Sequence, residues 1–122
     1  MTLEEAQLAK YRRLASVTGL GSGMRVLEIG SGWGGFAAFA AEEIGCQVTT
    51  ITVSKEQAAW AERLVAERGL TDRVTVRLQD FLATTGSFDA VVSIEMLESV
   101  PPARWPEFFR VVHDRLEPGG RA

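Results

Sequence analysis

The chain alternates between short runs of apolar, branched residues and longer segments in which apolar residues recur every three or four positions among charged ones. The short runs end at glycine or turn residues and predict four β-strands, at residues 24–29, 47–53, 74–80 and 88–96. The longer segments have the period of amphipathic helices and predict helices at residues 3–18, 35–44, 55–68 and 101–116. Strands and helices are therefore expected to follow one another in turn.

Local signals mark several of the predicted helix ends. Ser54 is followed three residues later by Gln57, which is the capping-box pattern at a helix N-terminus. Gly45 and Gly69 stand where helices 35–44 and 55–68 should stop. Pro118 and the two glycines after it are expected to break the last helix. The apolar stripe predicted for helix 3–18 consists of Leu3, Leu8, Tyr11, Leu14 and Val17.

Alternation of this kind predicts an α/β fold, a parallel sheet with helices on both faces, because each crossover must pass over the sheet before the next parallel strand begins. No linker or internal repeat divides the chain, so residues 1–122 are expected to form a single domain. Ligands of such sheets bind at the carboxyl ends of the strands. Functional residues are therefore expected just after each strand.

The segment VLEIGSGWGGF, residues 26–36, follows the first strand and holds four glycines and a tryptophan. Gly30, Gly32 and Gly35 match G-x-G-x-x-G, and Gly34 adds G-x-G-x-G. Such a turn can take positive φ and lets a ligand approach the backbone at the next helix's N-terminus. The alternative is that the glycine turn only reverses the chain. The position of the turn between a strand and a helix favours nucleotide binding.

The residues around the turn distinguish two classes of nucleotide. Dinucleotide-binding units hold the adenosine ribose with an acid at the end of the second strand, but residues 49–53 read TTITV. Glu28 lies two residues before Gly30 instead. A carboxylate there would repel a diphosphate and attract the ammonium of an amino-acid-like ligand. This favours S-adenosylmethionine, which carries adenosine and an amino acid but no phosphate.

Composition limits the remaining possibilities. The chain has 122 residues, of which 46% are hydrophobic and 24% charged, as is usual for a soluble globular protein. A net charge of -3 gives no overall attraction to nucleic acid. We expect a cytoplasmic protein, because no apolar run is long enough to span a membrane and the N-terminus is too charged for a signal peptide. Cys46, the one cysteine, is expected to be a buried thiol.

Several longer segments resemble one family. VLEIGSGWGGFAAFAAEEIGCQVTTITVSKEQ, VTVRLQDF, FDAVVSIEMLESV and LEPGGR are similar to the cyclopropane-fatty-acyl-phospholipid synthases, which also include mycolic acid cyclopropane and methyl-branch synthases. The resemblance covers nearly the whole chain, and G-W-G-G together with T-V-S-K-E-Q is its most specific part. It implies a Rossmann-like class I methyltransferase fold and transfer of a methyl group from S-adenosylmethionine, leaving S-adenosylhomocysteine, to an unsaturated acyl lipid.

The resemblance also implies where the cofactor binds. Its methionine half would be flanked by Glu28 and the turn, and its ribose and adenine would lie along residues 52–57 and then meet Asp80 and Phe81. Trp33 would form a wall of the cleft, with core packing as the alternative. The full set of expected cofactor-binding residues is Glu28, Gly30, Ser31, Gly32, Trp33, Gly34, Thr52, Val53, Ser54, Gln57, Asp80, Phe81 and Glu95.

The expected reaction centre follows the fourth strand. In the resembled family a bound bicarbonate removes a proton after methyl transfer, held partly by a glutamate in a motif like E-H-V-G. Glu98 matches that glutamate, whereas Ser99 and Pro101 depart from the motif, which leaves the product open among ring, methyl branch and methylene. Glu98 is the expected catalytic residue, with a solvated acid as the alternative for both Glu95 and Glu98. No metal is expected.

Two further expectations concern packing. The chain stops at LEPGGRA, so the sheet is expected to be truncated after strand four and its helix, with the apolar strand-four edge paired with a second copy or a partner.

Peripheral membrane contact is a related expectation. The alternative function is a cofactor-binding module without catalysis, or a methyltransferase for another small molecule. His113 is expected to be structural or solvent-facing, the charged residues of helix 55–68 to be solvated, and four aromatic residues to pack in the core: Trp60, Trp105, Phe108 and Phe109.

Overall fold

A computed structural model describes residues 2–30, 33–80, 83–84, 86–93 and 105–121. The helices in these ranges are α1 (Leu3–Thr18), α2 (Gly35–Phe39), α3 (Lys55–Glu67) and α4 (Trp105–Arg115), and one π-helical turn (Ala40–Ile44) continues α2. The strands are β1 (Arg25–Ile29), β2 (Gln47–Thr52), β3 (Val74–Leu78), β4 (Phe88–Val92) and β5 (Leu116–Arg121).

The strands form one parallel sheet in the order β3-β2-β1-β4-β5, which confirms the predicted α/β class. The chain moves outward from β1 through β2 to β3 and then crosses back to β4 on the other side of β1. The strand order therefore reverses beside β1, and the helices that follow β1 and β4 pack on opposite faces of the sheet. Ligands of open parallel sheets bind in the crevice at such a point.

The sheet extends one strand further than expected, because β5 pairs with β4 and covers its edge. Phe88 pairs with Leu116 and Ala90 with Arg121, with an irregularity of register between them. The segment LEPGGR, in which proline and glycine were expected to break the last helix, forms this strand. An edge strand tolerates them, since one side of its backbone needs no partner in the sheet. The expected partner for the β4 edge is thus supplied by the chain itself.

Alternate residues of β1 face two different cores. Val26 belongs to the larger core, beneath α2 and α3, and Leu27 and Ile29 belong to a smaller one that packs against Val111 and Val112 of α4. Helices therefore cover both faces of the sheet, as predicted. Glu28 points to the larger core, because side chains two apart on a strand share a face.

The buried face of α1 differs from the predicted stripe. Leu3, Leu8 and Val17 are exposed, whereas Ala15 and Thr18 are buried and the partly buried Tyr11 and Leu14 pack on the core. The buried set has a spacing of three and four and includes small and polar residues that a count of large apolar side chains overlooks. The Tyr11 ring lies 5.7 Å from Phe36 and 5.8 Å from Phe39, so α1 packs against the start of the helix that follows the glycine turn.

The predicted helix 35–44 is helical throughout, but its second half is a π-turn, in which the Gly45 amide donates to the Ala40 carbonyl at 3.0 Å. Gly45 ends it with φ 89°, as predicted. Cys46 follows and is fully buried, which confirms the expected buried thiol, and burial raises the pKa of that thiol. His113 is exposed, as expected. The charged residues of α3 are exposed as well, namely Glu56, Glu62, Arg63, Glu67 and, just after its end, Arg68.

Candidate functional site

The predicted site residues that the structure describes follow the carboxyl ends of three neighbouring strands, β1, β2 and β3. Backbone hydrogen bonds continue the sheet just beyond the strands, since the Gly30 amide donates to the Ile51 carbonyl and the Gln79 amide to the Thr52 carbonyl, both at 2.9 Å. The three connections therefore begin side by side. Five predicted site residues lie outside the described residues: Ser31, Gly32, Phe81, Glu95 and Glu98.

Glu28 is buried at the end of the central strand. It pairs with Thr50 of β2 and Val92 of β4, and its side chain is 1% exposed. The Thr50 hydroxyl donates to Glu28 Oε1 at 2.7 Å. Burial raises the pKa of Glu28 from 4.5 to about 8, although the hydrogen bond from Thr50 opposes the shift. The carboxyl group therefore carries a proton at neutral pH when no cation is bound, whereas the sequence argument assumed a charged carboxylate.

The glycines of the turn have two distinct roles. Gly30 and Gly34 have φ values of 93° and 90°, a region that strongly favours glycine. Gly34 also lies against α3, where an added Cβ would be 3.0 Å from both the Cα and the Cβ of Ala61. An added Cβ on Gly35 would lie 2.5 Å from the Tyr11 hydroxyl oxygen. Gly34 and Gly35 thus allow close packing of α3 and α1 on this segment, a role that the sequence pattern did not reveal.

Trp33 lies on the surface beside the turn, with 55% of its area exposed. Its ring meets the Trp60 ring edge to face at a centroid distance of 6.0 Å, and the Arg63 guanidinium lies 5.9 Å from the Trp60 ring. Trp33 is therefore not a core residue. The expected core packing of Trp60 is wrong, because it is 53% exposed and the buried positions of α3 are Ala58, Ala61 and Val65. The side chains of Trp105, Phe108 and Phe109 lie outside those described.

The connection from β2 to α3 is held by a set of short-range hydrogen bonds. The Gln57 amide donates to Ser54 Oγ at 3.2 Å, which confirms Ser54 as the helix cap. Thr52 Oγ1 accepts from the Ser54 amide at 3.1 Å and donates to Gln57 Oε1 at 3.0 Å. Val53 between them is 65% exposed. These hydrogen bonds hold the Gln57 side-chain amide at the carboxyl end of β2.

Asp80 lies two residues beyond β3 and is half-buried, and its carbonyl accepts from the Ala83 amide at 3.0 Å. A separate small cavity of about 70 Å³ opens elsewhere and contains no predicted site residue; it is lined by Leu27, Thr49, Arg77, Gln79, Thr84 and Phe88. Within the described ranges, no group of three metal-ligating side chains comes together. No helix in that part of the chain is both long and apolar enough to cross a bilayer.

One site residue escaped the sequence analysis. Thr50 stands in the segment where a dinucleotide-binding unit would carry an acid, and its hydroxyl donates a hydrogen bond to Glu28. The two residues are 22 positions apart, and only the register of β1 against β2 brings them opposite each other. The register can be read from the sequence when β1 and β2 are aligned on the glycines that flank them.

The family model of mycolic acid cyclopropane synthetase matches residues 1–122. A tuberculostearic acid methyltransferase of Mycobacterium tuberculosis is 40% identical over 97% of this chain, and the cyclopropane-fatty-acyl-phospholipid synthase of Escherichia coli K12 is 39% identical over the same share. The chain spans 27% and 30% of the length of these two relatives.

Solved structures with the same fold include two of these synthases. A mycolic acid cyclopropane synthase complexed with SAH and CTAB has a TM-score of 0.90 and 34% identity, over 96% of this chain and 41% of that one. A cyclopropane synthase from Mycobacterium tuberculosis has a TM-score of 0.93 and 35% identity, over 98% of this chain and 42% of that one. The five-stranded sheet described above is thus the arrangement found in this part of the synthases.

Proposed function

The chain belongs to the mycolic acid cyclopropane synthetase family, and from this premise we propose that it binds S-adenosylmethionine for transfer of the sulfonium methyl group to an unsaturated acyl chain. The observation that carries the proposal is the buried Glu28 beneath a glycine turn at the reversal point of the sheet, with no acid at the end of β2. Relatives named as fatty-acid methyltransferases and synthases support the acyl acceptor.

The described residues suit this cofactor. Gly30 has φ 93° and no side chain, so the backbone at the end of β1, two residues after Glu28, suits close approach by an amino-acid moiety. The side chains fixed at the end of β2, Thr52 and Gln57, are neutral hydrogen-bonding groups suited to ribose hydroxyls. No basic side chain of the described turn offers a partner for a diphosphate. When bound, S-adenosylmethionine supplies an electrophilic methyl group, and the protein supplies orientation and exclusion of water.

We assign cofactor binding to the residues around this crevice, including those outside the described ranges: Glu28, Gly30, Ser31, Gly32, Trp33, Gly34, Thr52, Val53, Ser54, Gln57, Asp80, Phe81 and Glu95. Glu98 takes part in the reaction centre, with bicarbonate as the base, as the resemblance implies. The protein acts in the cytoplasm, contacting a membrane surface from which the acyl chain is drawn.

A direct test is incubation of the chain with methyl-labelled S-adenosylmethionine and vesicles of an unsaturated phospholipid. We expect label in the lipid fraction, and none with a saturated phospholipid of the same headgroup, because addition needs the double bond. Label in neither lipid, with the labelled cofactor retained on the protein, would favour the second candidate, a cofactor-binding module without catalysis of its own.

A further inference from the structure

Glu28 and Thr50 form a buried polar pair inside an otherwise apolar layer. They are directly opposite in the β1–β2 register, with 1% and 0% of their surface exposed, and their oxygens are 2.7 Å apart. The remaining buried sheet side chains on this face, apart from Thr52, are apolar: Val26, Val48, Val74, Ala90 and Val92.

The elements packed on this face bring no charged group to Glu28 among the described residues. The buried side chains of α2 and α3 are alanine, phenylalanine and valine. The one titratable side chain that α1 directs to this core is Tyr11, whose ring packs on Phe36 and Phe39. Among the described residues, the Cys46 thiol just before β2 is also buried in this core. The ionisation of Glu28 is governed by its burial and by the Thr50 hydroxyl.

A buried carboxyl group of this kind responds strongly to a cation placed beside it. Burial favours the protonated form, and an adjacent positive charge favours the ionised form. The Thr50 hydroxyl donates a hydrogen bond to Oε1 and so stabilises the ionised form more than the protonated one. A cationic ligand group that binds beside Glu28 is therefore expected to displace the proton of its carboxyl group.

We propose that Thr50 is a positioning residue that holds the Glu28 carboxyl for the ammonium of S-adenosylmethionine, and that cofactor binding expels one proton from Glu28 to solvent. The inference rests on the proposed function, since it concerns the same cofactor. The proton leaves Oε1 or Oε2 of Glu28 for a water molecule and then the buffer, so the ammonium ends beside a carboxylate and no covalent bond in the ligand changes.

Proton release has a thermodynamic consequence that can be measured. Because the pKa of Glu28 is about 8 without ligand, affinity should rise by up to about tenfold per pH unit below pH 8 and then level off. A ligand with the same adenosine and thioether but no ammonium should bind without this dependence. S-adenosylhomocysteine and 5′-methylthioadenosine form that matched pair of ligands.

The test is isothermal titration of the 122-residue chain with each ligand between about pH 6 and pH 8, in phosphate and in Tris, whose ionisation heats differ. For S-adenosylhomocysteine we expect close to one proton released at about pH 7, and for 5′-methylthioadenosine none. Release of equal numbers of protons by the two ligands, or an affinity for S-adenosylhomocysteine that does not change with pH, would overturn the inference while leaving the proposed function intact. Binding of neither ligand would overturn both.

Variants separate positioning from general structure. Glu28→Gln should abolish proton release. Thr50→Val should weaken the binding of S-adenosylhomocysteine roughly tenfold and move the pH dependence of that affinity to higher pH, because a hydrogen bond to the ionised carboxylate is lost. Thr50→Ser keeps a hydroxyl and should restore both properties. Saturable binding of 5′-methylthioadenosine by each variant shows that the fold is intact. An unchanged pH profile in Thr50→Val would contradict the role of Thr50.

Discussion

Glu28 was found from the sequence by its position, two residues before Gly30 and at the end of an apolar run. Its burial could not be found in that way, because the burial depends on Thr50, Val92 and the helices that cover this face of the sheet. Burial changes the chemistry, since the group is uncharged at neutral pH without ligand. Glu28 can still attract an ammonium group, but only after its carboxyl group loses a proton when the ligand binds.

Gly34 is the residue at which backbone conformation and packing act together. Gly34→Ala should lower the free energy of unfolding by about 3 kcal/mol, because an alanine at φ 90° is strained and its Cβ would press on Ala61 at 3.0 Å. Gly69→Ala is the matched control, since Gly69 has φ 68° but nothing within 4 Å of an added Cβ, and should cost only about 1 kcal/mol. Urea unfolding of both variants checks this, and equal losses would contradict the packing role of Gly34.

At the scale of elements, the start of α3 joins the fold to the site. Ser54 caps the helix, and the same turn fixes Gln57 against Thr52. The Ser54 cap was predictable because it is a local pattern in the sequence. The second bond of the predicted capping box is replaced, since the Ser54 amide donates to Thr52 Oγ1 and not to the Gln57 side chain. The link to Thr52 was not predictable, because that contact depends on where β2 ends.

Ser54→Ala should therefore have two effects. Loss of the cap should lower the free energy of unfolding by about 1 kcal/mol, and loosening of the turn that holds Gln57 should weaken S-adenosylhomocysteine binding severalfold. Thr2→Ala removes the equivalent cap of α1, whose Oγ1 accepts from the Glu5 amide at 3.1 Å, far along the chain from the site. Urea unfolding and titration of both variants separate the effects. If Thr2→Ala weakens binding as much as Ser54→Ala, the β2–α3 turn has no special role.

Elements with strong local signals were predicted well, and the errors share a cause. β1, β2, α1 and α3 were located within a residue or two of their observed bounds. β5 was missed because its pairing with β4 outweighs the turn character of Pro118, Gly119 and Gly120. The exposed position of Trp60 was missed because its neighbour Trp33 lies in another element. Each error concerns a contact between segments distant in sequence, where tertiary structure overrides local preference.

At the scale of the whole molecule, the strand order explains why the site lies where it does. β1 is central, and the chain turns to opposite sides of it before β2 and before β4. The alternation of strands and helices predicted a parallel sheet but could not give the order of its strands, since several orders share the same alternation. The observed order places the β1 turn, the β2–α3 turn and the residues after β3 along one side of the crevice.

The central claim is that the turn after β1 accepts a nucleoside bearing an amino acid and not one bearing a diphosphate. Parallel isothermal titrations of the chain with S-adenosylhomocysteine and with NAD, at the same pH and salt, test it most directly. The account predicts saturable heat with S-adenosylhomocysteine and none with NAD. Saturable heat with NAD that S-adenosylhomocysteine competes away, or saturable heat with NAD and none with S-adenosylhomocysteine, would contradict it.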